Sequence, residues 1–404
     1  MSAGLVGEHT RRSRGRLWCA LAAIVSVVVA ATVSVVGAYL KLSGNVRHTA
    51  IDTRDLGVRP VKLAGATNVL IVGSDERDGK NVRYGHHTTG ERTDTIILAH
   101  LSPKRGDALL ISFPRDSLVR LPDCPATRDL PGQRAHTGMI NESFNFGGIA
   151  CTWKTIESLT GIHIDHFVKV DFTGFKGMID ALGGVAVCLP EPIDDSRARL
   201  RLPAGPQTLN GEQALGYVRA RYSIGDGSDI GRIKRQQMFI ASMTRKVLSG
   251  AMLTDPARLF RFLDAATKSV TTDPELTIGV LKDLARSAQG LTAGRIRFMT
   301  TPWRYSVTRR GRVEWVQPRA RRLFRIVAQD LPVTSVQGGE RKDQMVPVAK
   351  AGTSALRPVL GHDRAAPKRD KKDRRDDVAD LKSFDATKDP CSATGAPGLY
   401  SGSR

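Results

Sequence analysis

Residues 17–40 form an uncharged apolar run, Leu17 to Leu40, with Arg11, Arg12, Arg14 and Arg16 just ahead of it. A helix of about 20 apolar residues spans a bilayer, so the run is long enough to cross one. It exceeds the apolar region of a secretory leader, about 7–15 residues. Small residues at Ala30-Ala31 and Gly37-Ala38 keep a cleaved leader as the alternative. The arginines ahead of the run place residues 1–16 in the cytoplasm. Everything after Lys41 then folds and works outside the membrane, which restricts the chain more than any other feature.

The net charge of +21 calls for an anionic partner. An outside location excludes nucleic acid, and an aromatic content of 5% leaves little for base stacking. Lipid headgroups and wall polymers remain. Of five cysteines, Cys124 and Cys151 bracket an external loop, where a disulfide can persist. Cys188 follows an apolar strand-like run and reads as a buried thiol. No Cys-x-x-Cys or His-rich ligand set is present, which argues against zinc.

Residues 41–64 read as a polar stalk. Apolar runs then predict strands at Asn68–Gly73, Arg92–Leu101, Leu109–Phe113, His166–Asp171 and Gly184–Leu189. The first three carry an Arg/Asp pair at one end: Asp75 with Arg77, Asp94 with Arg92, and Asp116 with Arg115. Asp75 and Asp94 together suit one Mg²⁺, which takes carboxylate and phosphate oxygens. Arginines nearby would take the remaining phosphate oxygens, a layout for phosphoryl transfer by charge neutralisation. Helices are expected at Thr152–Leu159, Phe175–Leu182 and Leu209–Leu215, and through most of 254–331, with a strand at Arg295–Met299. His163 and His166 read as structural. After about Gly338 charge runs with few apolar residues predict disorder, so residues 336–404 form a charged tail.

The densest cationic stretch is Tyr217–Gln237, with Arg219, Arg221, Arg232, Lys234 and Arg235 about a glycine-rich turn. Arg219 and Arg221 alternate and would share one face of an extended strand. Asp229 is placed to cap a helix beginning near Ile230. On that helix Arg232, Arg235 and Gln236 share a face. Guanidinium forks converging from a strand end and a helix start suit a multiply charged phosphate ligand.

Taken together, Asn68 to Arg77, Arg92-Thr-Asp94-Thr, Ser112 to Asp116, Asn141 to Gly148, Ile164 to Asp171, Gly183-Gly-Val and Val218 to Gln237 resemble the LytR–CpsA–Psr family of envelope phosphotransferases. The resemblance implies an α/β fold: a three-layer α-β-α domain with a mixed central sheet over residues 65–335, after one transmembrane helix. It implies transfer of a phosphorylated glycopolymer from a polyprenyl-pyrophosphate carrier to peptidoglycan, with Mg²⁺. Asp75 and Asp94 would be metal ligands. Arg92, Arg115, Arg219, Arg221, Arg232, Arg235 and Gln236 would bind phosphates or assist transfer, and Cys124 and Cys151 match the disulfide of actinobacterial members. A non-catalytic, membrane-anchored binder of the same anionic lipid or polymer is the alternative. The Asp75/Asp94 pair separates the two, since an anion binder gains nothing from carboxylates beside phosphate unless a cation bridges them.

Overall fold

The computed structural model describes residues 7–74, 93–221, 228–287, 292–332 and 384–386. The apolar run lies within one long helix, α1 (Gly7–Asn45). Its segment Ala20–Asn45 has a mean hydropathy of 2.4. Val27, Val33 and Val35 are exposed on it. Such a surface has no aqueous partner, and α1 is long and apolar enough to cross a membrane.

Beyond α1 come β1 (Arg47–His48), β2 (Thr67–Ser74), β3 (Thr93–Ser102), β4 (Asp107–Phe113), β5 (Leu118–Leu121) and β6 (His136–Met139). They are followed by α2 (Glu142–Thr160), β7 (His166–Val170), α3 (Phe172–Ala181), β8 (Val185–Leu189), β9 (Ile193–Asp195), β10 (Leu200–Leu202) and β11 (Gly205–Leu209). Then come α4 (Gly211–Arg219), α5 (Asp229–Val247), α6 (Gly250–Leu253), α7 (Pro256–Lys268), β12 (Val270–Thr272) and α8 (Ile278–Ser287). The last elements are β13 (Ile296–Thr300), β14 (Trp303–Tyr305), β15 (Val313–Trp315), α9 (Gln317–Ala328) and β16 (Phe384–Asp385).

Eight strands form the central sheet in the order β1-β12-β7-β2-β3-β4-β13-β16. β2 runs antiparallel to β3 and parallel to β7, and β4 runs antiparallel to β3 and parallel to β13, so the sheet is mixed. Side chains alternate across it. Leu70, Val72, Ile96, Leu98, Leu109 and Ile111 share a core with Trp153 and Ile156 of α2 and Leu323, Phe324 and Val327 of α9. On the opposite face α5 lies against β4 and β13: Gln237 Nε2 donates to Ser112 Oγ at 2.9 Å and to Met299 O at 3.0 Å. A further core joins α3, α4 and α5 to the antiparallel β8/β11 pair around Ile179, Val187, Tyr217 and Phe239. Helices on both faces make the expected α-β-α layering.

Several expectations need correction. The stretch 41–64 is not a free stalk. α1 continues to Asn45, whose Nδ2 donates to Asp264 Oδ1 at 3.0 Å. β1 pairs in parallel with β12 at the sheet edge, and Leu56 is buried. Arg59 Nη2 donates to Glu157 Oε1 at 2.7 Å and to Ile164 O at 2.6 Å. These charges read as solvated in sequence because their buried partners lie far along the chain. The 336–404 tail is not wholly detached: β16 pairs antiparallel with the β13 edge, and Ala386 is buried there. α2 begins ten residues ahead of the expected Thr152, at Glu142, because Gly148, with φ 62°, kinks the helix rather than ending it. The 254–331 region also holds β12 and the β14–β15 hairpin, elements too short for periodicity to reveal. Cys124 and Cys151 are joined in a disulfide that ties the 122–135 loop to α2, and Cys188 is half-buried with a free thiol.

Candidate active site

The carboxyl ends of β2 and β4 and the start of β3 lie at one end of the sheet. Register shifts between Gly73 and Ser74 where β2 meets β3, a bulge of the kind found beside functional sites. Asp94 is the second residue of β3, and Arg115 and Asp116 follow β4 directly. The N-terminus of α5 faces them. Its cap is Ser228, whose Oγ accepts from Gly231 N at 3.0 Å, one residue ahead of the expected Asp229. Asp229 instead turns inward and pairs with Arg232 one helical turn on.

Two guanidiniums and two carboxylates interlock here. Arg115 Nη1 donates to Asp94 Oδ1, and its Nε lies 3.3 Å from Asp229 Oδ1. Arg232 Nη2 donates to Asp229 Oδ1, and its Nη1 lies 3.7 Å from Asp94 Oδ1. Asp116 Oδ1 extends the array, 3.9 Å from Arg115 and 3.3 Å from Arg312. Arg232 is only 3% exposed. Burial raises the Asp94 carboxyl, but Arg232, Arg115 and, less strongly, Arg219 outweigh it and hold the group below its ordinary range. Asp229 goes the other way: burial lifts it, Asp116 adds to the rise, and the arginines do not fully offset them. Arg115 Nε, Arg232 Nε and Asp229 Oδ2 are buried without a hydrogen-bond partner among the described residues. The array is an ion-pair network of balanced charge. The two Nε donors are the groups that a phosphate oxygen could satisfy, while Asp229 Oδ2 needs a donor or a cation.

The other sequence-predicted residues are placed differently. Arg219 ends α4 and Arg221 follows two residues on, so neither lies on a strand. An Asn210–Gln213 capping box starts that helix, and burial of Ala214, Leu215 and Tyr217 sustains it past the expected Leu215. Arg219 stacks over Phe172, its Cζ 4.7 Å from the ring centroid. Arg235 Nη2 donates to Ala220 O, and Gln236 Nε2 to Val218 O at 3.2 Å. Both were expected to contact substrate. The bonds seen here run to carbonyls at the end of α4, groups a helix terminus leaves unsatisfied. Asp75 and Arg92 lie outside the described residues. Asp229 was missed as an ion-pair partner, although its i,i+3 spacing from Arg232 was a usable signal.

Among the described residues no three His, Cys, Asp or Glu side chains group to hold a metal. A Mg²⁺ bound mainly by substrate phosphate needs only one or two carboxylates. Asp94 fits that need, because it is held ionised and its arginine side-chain contacts among the described residues fall on Oδ1.

The LytR_cpsA_psr family model matches residues 33–325. The chain is 34% identical over 264 residues to the Cell wall biosynthesis protein LcpA of Corynebacterium glutamicum, covering 59% of this chain and 50% of that protein. It is 31% identical over 278 residues to the Polyisoprenyl-teichoic acid–peptidoglycan teichoic acid transferase TagU of Enterococcus faecalis, covering 67% of this chain and 84% of that one. It thus spans about half the length of the first relative and most of the second. A solved LytR-Csp2A-Psr enzyme from Actinomyces oris shares the fold at a TM-score of 0.53 and 24% identity, over 70% of this chain and 96% of that one. With most of its length matched by that one family model, this chain belongs to the LytR_cpsA_psr family.

Proposed function

We propose that the chain transfers a phosphorylated glycopolymer from a polyprenyl-pyrophosphate carrier to peptidoglycan, outside the cell membrane. One observation carries this reading: buried Arg232 and half-buried Arg115, each with an unsatisfied Nε, set around an ionised Asp94 at the sheet end. Support also comes from relatives whose names state wall biosynthesis and teichoic acid transfer. In this reading α1 anchors the chain with residues 1–16 in the cytoplasm.

In the reaction an acceptor hydroxyl oxygen forms a bond to the glycopolymer's phosphorus. The P–O bond to the carrier breaks, polyprenyl phosphate leaves, and the hydroxyl's proton passes to the departing phosphate or to water. A transferring phosphoryl group spreads charge over its equatorial oxygens, and fixed cations lower that barrier. Arg115 and Arg232 supply such cations, and Asp94 and Asp229 hold them in place before substrate arrives. Arg219 adds positive potential from the end of α4. Mg²⁺, when bound, would neutralise pyrophosphate charge beside Asp94, with Asp75 as the second proposed ligand. Arg92 is retained as a phosphate ligand.

The test is release of polyprenyl phosphate from a lipid-linked glycan donor. Arg232→Lys keeps charge but loses the bidentate fork. Charge-assisted hydrogen bonds are worth about 1.5–3 kcal/mol each, so losing one or two should slow release roughly ten- to a thousand-fold. Asp94→Asn should abolish it while leaving binding of the apolar tail intact. Wild-type rates in both variants would remove the cluster from the chemistry. Binding of the donor without turnover in the unaltered chain would favour a non-catalytic binder.

A further inference from the structure

We infer that the β14–β15 hairpin is a binding subsite for an anionic glycan chain passing next to the phosphate site. This deepens the function proposed above and rests on it only for the origin of the glycan. β13 runs parallel to β4, so the hairpin emerges at the sheet end that holds Arg115 and Asp94. It is fastened there. Arg312 Nη1 donates to Asp116 Oδ1 at 3.3 Å, Val313 N to Asp116 O at 3.3 Å, and Trp315 Nε1 to Ser117 Oγ at 3.0 Å. Asp116 in turn faces Arg115, so hairpin and site are electrostatically continuous.

What the hairpin presents suits a charged sugar. Trp303 and Tyr305 meet edge to face, with centroids 5.1 Å apart, and Tyr305 is 56% exposed. An exposed aromatic side chain offers negative π-density to the C–H face of a pyranose ring. The hairpin carries Arg304, Arg309, Arg310 and Arg312. Arg304 pairs with Glu314 and Arg312 with Asp116, which leaves Arg309 and Arg310 to meet an anion. Arg309 and Arg310 are exposed at the turn. Guanidinium forks bind phosphate or carboxylate bidentately. The turn is also pre-ordered: Ser306 Oγ accepts from Thr308 N at 3.2 Å and Arg309 N at 3.1 Å, and donates to Glu314 Oε1 at 2.7 Å. Pre-ordering reduces what binding must spend on entropy. A membrane is the less suitable partner, because α1 enters at β1, six strand positions from β13. At about 4.8 Å per strand that is roughly 29 Å.

The experiment measures binding rather than transfer, on the full chain in detergent micelles. Three probes are used: a muramic-acid-bearing wall oligosaccharide, a phosphate-bearing sugar oligomer, and a sugar-free polyprenyl monophosphate. Tyr305→Ala and the double variant Arg309→Gln/Arg310→Gln should each weaken at least one glycan roughly tenfold or more. Their affinity for polyprenyl monophosphate and their melting temperature should not change. Loss on the carboxylate oligosaccharide makes this the acceptor subsite, and loss on the phosphate oligomer makes it the subsite for the donor's chain. The double variant Arg258→Gln/Arg261→Gln on α7 removes the same charge elsewhere and should bind both glycans normally. Equal glycan binding by hairpin variants and wild type, no glycan binding by either, or equal loss in the α7 control overturns the inference. So does a hairpin effect confined to anionic lipid vesicles. Hairpin-dependent glycan binding in a chain that transfers nothing would sustain the subsite while removing the transferase reading.

Discussion

Arg232 lies between Asp229, which it contacts, and Asp94 at 3.7 Å, so its charge is needed by the fold as well as by any ligand. Truncating it would leave Asp94 and Asp229 sharing Arg115 alone, and breaking a buried pair costs about 3–5 kcal/mol. That is why the lysine variant, which keeps the charge, is the informative one. A second buried carboxylate makes a cleaner pH probe. Asp273 Oδ1 accepts from His166 Nδ1 at 2.9 Å, and Oδ2 accepts from Phe167 N at 3.0 Å. Burial raises this carboxyl, but those bonds outweigh it and the group is held below its ordinary 3.8. A carboxylate with a lower pKa folded than unfolded adds stability above its unfolded value and loses it as pH falls through the folded one. Asp273→Asn should therefore cost about 1.5–3 kcal/mol at pH 7, and the gap to wild type should close toward pH 3. Urea unfolding of both proteins at the two pH values checks this, and an equal gap at both would contradict it.

At the scale of elements, one segment that read as a polar stalk and one within the charged tail complete the sheet. β1 extends one edge and β16 the other. Arg59 locks the first by its bonds to Glu157, which is 3% exposed, and by stacking 5.3 Å from the Trp153 ring centroid. Arg59→Ala would strand a buried carboxylate and should lower unfolding free energy by about 3 kcal/mol. A melting curve unchanged by the substitution would return residues 41–64 to a free stalk. β16 covers β13, and Arg245 Nη1 donates to Ala386 O at 2.7 Å to hold it. An uncovered edge strand invites pairing with another chain. Ending the chain at Asp330 should lower Tm by a few degrees and raise self-association, read by calorimetry and by light scattering. The β2, β3 and β4 strands were legible because each is an apolar run with turn signals. β1, β12 and β16 were not, because strands of two or three residues owe their existence to a neighbour's open hydrogen bonds.

At the scale of the molecule, one apolar helix leads into a domain with an Arg/Asp cluster at one sheet end. The proposed orientation puts that domain outside. Protease added to intact cells stripped of wall should then cut after residue 41 and leave the α1 segment membrane-bound, as followed by antibodies to each end. Protection of the whole domain would reverse the orientation.

The sequence by itself determined the membrane-length helix and the strand runs of the central sheet. Those follow from residue type and local period, which tertiary contacts do not alter. The arginine-rich stretch at 217–237 was legible for the same reason, since it is read from residue type alone. Only the tertiary structure decided which arginine meets which carboxylate. Arg232 pairs with Asp229, and Arg235 and Gln236 hold the end of α4. Only it turned Arg219 from a strand into a helix end, because the capping box at Asn210 and the buried face of α4 outweigh an alternating pattern of two residues. Pairings such as Arg59 with Glu157, 98 residues apart, are fixed by where the packed core leaves a buried charge, and no local pattern carries that information.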